Sequence, residues 1–180
     1  MKTSTFLVTG GARSGKSRIA LSLAEKSVKP FYIATGWAGD SEMDERIRIH
    51  KADRGGKWTL IEEKMALTGA IEKAVSQGAD FILVDCLTLW ISNLMMLEDE
   101  NLENRTTELL ETIRNIKVPL AFVSNEVGCG IVPGDPISRR FRDDAGFVNQ
   151  KIAQAVENVI LAVSGIPVLI KKSGVNKQWI

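Results

Sequence analysis

Residues 9–17 read TGGARSGKS, which matches the pattern G-x-x-x-x-G-K-[ST] with Lys16 and Ser17 at its end. An apolar run, Thr5–Gly10, precedes the pattern and a segment of helical periodicity follows it, which is the context that a phosphate-binding loop requires. Glycines allow the backbone N–H groups to close around phosphate oxygens. We therefore expect Lys16 to reach the outer phosphates of a nucleotide and the Ser17 hydroxyl to ligate Mg²⁺.

A site of this kind needs a second acid to hold the metal, and Asp85 stands where that acid is expected. It ends the apolar run Phe81–Asp85, which is typical of a strand buried on both faces. The other interpretation is an aspartate that caps the turn at Cys86. We predict Ser17 and Asp85 as the metal ligands. These residues indicate a Mg²⁺-dependent nucleotide enzyme, without choosing among a kinase, a nucleotidyltransferase and a switch protein.

His50 is the only histidine of the chain. On a helix, Met43, Ile47 and His50 would lie on one face, so the imidazole would continue an apolar stripe. One interpretation is therefore a half-buried histidine that bonds to a backbone carbonyl. The other is a phosphorus nucleophile, because neutral imidazole is available near pH 7 and Arg46 and Arg54 share its face.

Short apolar runs alternate with helical patterns along the chain. Strands are predicted over Thr5–Gly10, Phe31–Thr35, Trp58–Glu62, Phe81–Asp85, 119–126, 159–165 and 167–172. Helices are predicted over 16–26, Ser41–Arg54, 65–77, 87–97, 102–116 and 139–157. This order predicts an α/β fold of the P-loop NTPase type: a mostly parallel sheet flanked by helices, with an antiparallel edge hairpin at the C-terminus. We expect one nucleotide-binding domain over residues 1–180.

The composition describes an ordinary globular protein, with 44% hydrophobic residues, 25% charged residues and a net charge of +1. We expect neither nucleic-acid binding nor membrane insertion, because the chain has no basic stripe and no apolar run near the roughly 20 residues of a membrane helix. Cys86 and Cys129 lack metal-ligand spacing. They are expected to be reduced thiols of a cytoplasmic protein.

Seven stretches together indicate one protein family more specifically than the phosphate-loop motif, which many families share. They are LVTGGARSGKSR, YIAT, RIRIHKADR, WTLIEE, ILVDCLTLWISNLM, FVSNEVGCGIVP and RRFRDDAGFVNQKIA. In this order they resemble the bifunctional adenosylcobinamide kinase / adenosylcobinamide-phosphate guanylyltransferase family of cobalamin biosynthesis, over nearly the whole chain. The resemblance implies that ATP or GTP phosphorylates adenosylcobinamide. GTP then gives GMP to that phosphate, releasing pyrophosphate and forming adenosylcobinamide-GDP.

The resemblance also implies the residues that carry this chemistry. A GMP-histidine intermediate would form at His50; some members have two adjacent histidines there, and the first of those positions is Ile49 in this chain. Glu62 would accept hydrogen bonds from guanine or ribose, although an exposed strand-end acid is the alternative. The implied nucleotide-binding residues are Gly10, Gly11, Ala12, Arg13, Ser14, Gly15, Lys16, Ser17, Ala34, Thr35, Gly36, Lys51, Ala52, Asp53, Arg54, Glu62 and Asp85.

Two further features of the chain keep alternatives open. The stretch SNEVGCGIVP could form part of the active-site rim, or could be a loop shaped only by its glycines and Pro133. The stretch RRFRDDAGFVNQ is a solvated helix face or a subunit contact, and the resemblance implies a homotrimer. Two other functions stay possible: a P-loop kinase without guanylyl transfer, in which His50 is structural, and a nucleotide-dependent switch.

Overall fold

The structure is a computed structural model that describes residues 4–36, 56–96 and 101–172. Its strands in these ranges are β1 (Thr5–Gly10), β2 (Pro30–Ala34), β3 (Thr59–Glu62), β4 (Phe81–Asp85), β5 (Leu120–Asn125), β6 (Asn158–Val163) and β7 (Ile166–Lys171). The helices there are α1 (Lys16–Ser22), α2 (Leu67–Ser76), α3 (Leu87–Met96), α4 (Leu102–Asn115) and α5 (Pro136–Ala155). The helix predicted over Ser41–Arg54 lies outside the described residues.

The strands form one sheet in the order β3-β2-β4-β5-β1-β6-β7. Neighbouring strands are parallel except β6 and β7, which form an antiparallel hairpin. The hairpin turns over Ser164 and Gly165, whose φ angles of 52° and 83° suit the two-residue turns that match strand twist. The predicted fold class and edge hairpin are therefore confirmed.

The core lies on both faces of the sheet, as the continuous apolar strands predict. In β4, Ile82 and Val84 belong to the cluster that packs against α2, α3, α4 and α5. Leu83, which points to the opposite face, packs with Ile19 and Ala20 of α1. Both layers hold the carboxyl ends of the parallel strands in place, and that edge is where such sheets bind ligands.

Two helix boundaries differ from the prediction for identifiable reasons. The first helix ends at Ser22 instead of Lys26, because the residues that follow form tight turns. The Lys57 ammonium also donates hydrogen bonds to the carbonyl oxygens of Ala24 and Glu25, at 2.9 and 3.3 Å. The last helix begins at Pro136 instead of Arg139. Its N-cap, Asp135, accepts a 2.8 Å hydrogen bond from the backbone of Ser138, and proline is favoured in the first turn.

The end of α5 is closed by a lysine from β7. Lys171 Nζ donates to the carbonyl oxygens of Ala153, Gln154 and Val156, at 2.8, 2.9 and 2.6 Å. These are carbonyls that a helix end leaves without intrahelical partners, and a cation there also suits the helix dipole. The side chain therefore joins the edge hairpin to the longest described helix.

We expect Lys171→Met to lower the free energy of unfolding by about 1–3 kcal/mol, because it removes charge-assisted hydrogen bonds and keeps the aliphatic stem. Urea denaturation would measure the change. The matched control is Lys172→Met, because Lys172 is exposed and stands outside the strand. Equal stability of both variants would contradict this capping role.

Among the described residues, no helix combines the length and apolar character needed to cross a membrane.

Candidate active site

The phosphate-binding loop connects β1 to α1. Gly15 has φ 88° and Arg13 has φ 55°, so the chain turns twice through left-handed conformations before the helix. Left-handed residues of this kind turn successive backbone N–H groups toward one side, which creates a concave anion site. The loop predicted from the sequence is therefore formed between the strand and the helix as expected.

Contacts from two other elements hold this loop. The Glu126 N–H, just after β5, donates to the Gly10 carbonyl at 2.9 Å. The Gly165 N–H, in the turn of the edge hairpin, donates to the Ser14 carbonyl at 2.9 Å. A β-carbon added to Gly15 would lie 3.1 Å from the Gly165 α-carbon, so the turn and the loop are in close contact.

Lys16 folds back over the loop in this structure. Its side chain is 7% exposed, and Nζ lies 2.6 Å from the Gly11 carbonyl oxygen and 3.5 Å from Ser14 Oγ. Burial lowers the pKa of Lys16, while the nearby acidic groups of Cys86 and Asp85 oppose that lowering. Burial raises the pKa of Cys86 to about 12, so that thiol is neutral near pH 7.

Asp85 ends β4, two places along the sheet from β1. Its carboxylate is partly buried, and the Tyr32 hydroxyl donates to Oδ2 at 2.7 Å. In the strand register, Ala34 lies opposite both Asp85 and Glu62. The two predicted acids therefore flank the end of β2 on the same edge of the sheet. Glu62 is exposed there.

Residues 34–36 are attached to the end of β4 through Thr35. The Thr35 hydroxyl donates to the Cys86 carbonyl at 2.7 Å and accepts from the Cys86 N–H at 2.8 Å. Asn93 Nδ2 also donates to the Thr35 carbonyl at 3.0 Å. Because Thr35 is fully buried, its hydroxyl serves this strand connection, and its neighbours Ala34 and Gly36 are the partly exposed members of the segment.

The structure thus brings most of the predicted nucleotide-binding residues to one edge of the sheet, namely Gly10, Gly11, Ala12, Arg13, Ser14, Gly15, Lys16, Ser17, Ala34, Thr35, Gly36, Glu62 and Asp85. The other predicted nucleotide-binding residues, Lys51, Ala52, Asp53 and Arg54, and the predicted catalytic residue His50 lie outside the described residues. Within the described ranges, no three His, Cys, Asp or Glu side chains cluster as a metal site. Mg²⁺ usually needs only one or two protein ligands besides substrate phosphates, and hydroxyl and carboxylate oxygens such as those of Ser17 and Asp85 suit it.

Asn125 lies in the stretch SNEVGCGIVP, for which the sequence leaves a rim role open, but the sequence patterns do not single it out as a site residue. It ends β5, between the strands of the phosphate loop and of Asp85. Asn125 pairs with Gly10 in the register. Its N–H donates to Thr88 Oγ1 at 2.7 Å, and its carbonyl accepts from Asn149 Nδ2 at 3.2 Å. A polar residue directly after the apolar run of β5 is the signal that could have identified it, since the same pattern identified Asp85.

The loop after β5 is organised by Glu126. Its carboxylate accepts from the Gly128 N–H at 2.6 Å and from the Cys129 N–H at 3.2 Å. Partial burial raises the pKa of Glu126, but the hydrogen bonds from Cys129 and Gly128 outweigh it and the net shift is downward. Glu126 in turn raises the pKa of the exposed Cys129 thiol, by a hydrogen bond and by its charge.

We expect Glu126→Gln to speed alkylation of Cys129 about threefold at pH 8, because removing the carboxylate lets the thiol ionise more readily. Mass spectrometry after timed iodoacetamide treatment would measure it. Cys86 should stay unmodified in the folded protein, since it is buried and its pKa is about 12. Glu111→Gln, an exposed change on α4, is the control. A slower reaction in Glu126→Gln would contradict the expected sign.

A protein-family model supplies the deciding comparison. The model for cobinamide kinase / cobinamide phosphate guanyltransferase matches residues 6–170 of this chain. The chain belongs to this family. The match spans all described strands and helices except the first residue of β1 and the last of β7, and it confirms the resemblance seen in the seven stretches.

Curated relatives of the family agree with this assignment. The bifunctional adenosylcobalamin biosynthesis protein CobP of Pseudomonas aeruginosa is 43% identical over 167 residues, covering 92% of this chain and 96% of that protein. The bifunctional protein CobU of Salmonella typhimurium is 39% identical over 180 residues, covering 92% and 99%. The prediction of an enzyme of the kinase and guanylyltransferase class is therefore confirmed at the level of the family.

Solved structures support the fold alone. An ATPase of a bacterial type III secretion system has a TM-score of 0.60 at 13% identity, with 92% of this chain and 56% of that chain covered. A protein of Pyrococcus horikoshii has a TM-score of 0.54 at 13% identity, with 97% and 88% covered. At such identities a fold is shared without implying a shared activity.

Proposed function

We propose that this chain phosphorylates adenosylcobinamide with ATP or GTP and then transfers GMP from GTP to the new phosphate. The observation that carries this proposal is the phosphate loop with its buried Lys16, on which the charge of Asp85 acts, in a chain of this family. In the first reaction the substrate hydroxyl oxygen attacks the γ-phosphorus and the bond to the β-bridging oxygen breaks. The hydroxyl proton is lost, and ADP or GDP leaves.

Lys16 must change partner for either reaction. Its ammonium donates to the Gly11 carbonyl, and phosphate oxygens would replace that carbonyl as the acceptor. The loop N–H groups and this ammonium would then stabilise the charge that develops on the transferred group. Ser17 and Asp85 would hold Mg²⁺, which when bound neutralises charge on the phosphates. Glu62 would accept hydrogen bonds from guanine or ribose.

The second reaction is proposed to proceed in two displacements. An imidazole nitrogen of His50 attacks the α-phosphorus of GTP, the bond to the bridging oxygen breaks, and pyrophosphate leaves. A phosphate oxygen of adenosylcobinamide phosphate then attacks the same phosphorus, and the imidazole departs with a proton. The products are adenosylcobinamide-GDP and the free enzyme. The basic residues Lys51 and Arg54 would neutralise the triphosphate during the first displacement.

A labelling experiment tests this proposal directly. Incubation with Mg²⁺ and GTP carrying a radioactive α-phosphate should label the wild-type protein. The label should be labile to acid and stable to base, as a phosphoramidate is. His50→Ala should lose the label while adenosylcobinamide kinase turnover persists, and the matched control Ile49→Ala should keep the label.

Each departure from this result has a definite meaning. An unlabelled wild-type protein with kinase turnover would favour a kinase without guanylyl transfer. Label that persists in His50→Ala would place the nucleophile elsewhere. Slow turnover of every substrate, with partner binding that depends on the nucleotide, would favour a switch protein and overturn the proposed activity.

The assembly and the location of the protein also belong to this proposal. We propose a homotrimer, supported by Ile137 and Phe147 on α5, which are 75% and 62% exposed and would gain from a subunit contact. Light scattering after gel filtration would test the trimer. We propose a cytoplasmic location, supported by Cys86 and Cys129, which form no disulfide and so suit a reducing compartment.

A further inference from the structure

The hydroxyl of Tyr32 is bound to the acid of the nucleotide site. Tyr32 is the only tyrosine of the chain, is 4% exposed and lies in the middle of β2. Its Oη donates to Asp85 Oδ2 at 2.7 Å, from β2 across to β4. A hydrogen bond to an ionised acceptor is shorter and stronger than one between neutral groups. One of the two carboxylate oxygens of Asp85, Oδ2, is therefore engaged by the phenol.

The ring that carries this hydroxyl is fixed by packing. The Tyr32 and Trp58 rings meet edge to face, with centroids 5.9 Å apart and an interplanar angle of 89°. Trp58 meets Phe81 in the same way, at 6.2 Å and 86°. Contacts of this geometry are favourable and directional. The donor is thus presented from a rigid position in the core, and the carboxylate is the group that adapts to it.

The alternative is that Asp85 only satisfies a buried phenol. The surroundings of Lys16 argue against this interpretation. A carboxylate rotates about its last torsion with little restriction, so it can turn toward a cation on which its charge acts, as the charge of Asp85 acts on Lys16. Here the Lys16 ammonium donates to Gly11 and Ser14 instead, while Asp85 is held by the phenol. A neutral donor can orient the acid without taking the lysine away from the phosphates.

We propose that Tyr32 is a positioning residue for Asp85. Its hydroxyl holds Oδ2 so that Oδ1 faces the Mg²⁺-nucleotide in one orientation. This inference rests on the proposed function, in which Asp85 is a metal ligand. It predicts that the contribution of Tyr32 to nucleotide affinity passes through Asp85 and appears only when the divalent ion is present.

Nucleotide affinity with and without the metal tests the inference apart from catalysis. Calorimetric titration with α,β-methylene-GTP, without cobinamide, would give one Kd in excess Mg²⁺ and one in EDTA. The ratio of these values is the metal-dependent gain in affinity. We expect Tyr32→Phe to lower that gain about tenfold, the size of effect that loss of one hydrogen bond to a charged group produces. The Kd in EDTA should stay within about twofold.

A double-mutant cycle then shows whether the effect passes through Asp85. Asp85→Asn should lower the metal-dependent gain at least as much as Tyr32→Phe. In the Asp85→Asn background, Tyr32→Phe should produce no further change, because residues that act as one unit are not additive. Trp58→Phe is the packing control. It keeps the Tyr32 hydroxyl and an aromatic ring against Tyr32, so it should lower the thermal midpoint of unfolding while preserving the metal-dependent gain in affinity.

Three results would overturn the inference. The first is an unchanged gain in Tyr32→Phe. The second is an equal effect of Tyr32→Phe in both backgrounds, which would mean that the tyrosine acts independently of the acid. The third is an unchanged gain in Asp85→Asn, which would remove both the metal role of Asp85 and the role of Tyr32. Labelling at His50 and kinase turnover in the wild type report on the proposed function separately.

Discussion

Lys16→Met is expected to lower kcat/KM of both the kinase and the guanylyltransferase reactions about a thousandfold. Charge develops on the transferred phosphorus group in both reactions, so the loss of a cation placed at the phosphates removes stabilisation of both transition states. The folded protein should tolerate the change. Methionine fills a similar volume, and burial already lowers the pKa of Lys16, which shows that the folded state disfavours its charge.

Steady-state assays of both reactions, with thermal unfolding of the same samples, would measure the result. Lys26→Met is the matched control, because Lys26 is exposed and follows the end of α1. Its kinetic constants should match those of the wild type. A loss of less than tenfold in Lys16→Met would mean that Lys16 does not contact the transferred phosphates.

Gly10→Ala is expected to have the largest effect on folding. A β-carbon at Gly10 would overlap the carbonyl oxygen of Ala162 on β6 and would lie 2.8 Å from Ser14 Oγ. The obstacle is backbone, which cannot move away as a flexible side chain does, and φ is 151°, a conformation that side chains other than glycine rarely adopt. We expect the free energy of unfolding to fall by about 2–4 kcal/mol and nucleotide binding to be lost.

Urea denaturation and nucleotide titration would measure both effects. The neighbouring Gly11→Ala is a close control for stability, because a β-carbon there would meet nothing within 4 Å. Its free energy of unfolding should change by less than about 0.5 kcal/mol. Comparable destabilisation by both substitutions would contradict the steric explanation and would implicate the flexibility of the loop instead.

Local patterns in the sequence were sufficient for the fold and for the two best-defined parts of the site. The loop pattern identified residues 10–17, and the apolar run before Asp85 identified that acid, because both signals are contiguous. Glu62 came from the family resemblance only. The register that sets it beside Ala34 depends on strand order, which periodicity does not encode. Asn125 carries the same strand-end signal at β5, where the sequence indicated only a rim stretch, SNEVGCGIVP, and no individual residue.

Contacts between residues that are far apart in the sequence could not be predicted from local sequence patterns. The bond from Tyr32 to Asp85 joins strands that are far apart in the chain and become neighbours only through the sheet order. The contact of Gly165 with Ser14 was hidden for the same reason. The early end of α1 depends on Lys57, a residue that follows β2 in sequence and reaches back to cap the turn. In each case the deciding partner lies on another element.

The contact between the edge hairpin and the phosphate loop has a consequence for synthesis of the protein. Gly165 supports Ser14, yet it is translated long after the loop has left the ribosome. A nascent chain therefore carries the complete loop motif before the hairpin turn that contacts the loop has been synthesised. We expect nucleotide binding to begin only after the hairpin turn has left the ribosome and packed against the loop. The first turnover would then wait until β6 and β7 have joined the sheet.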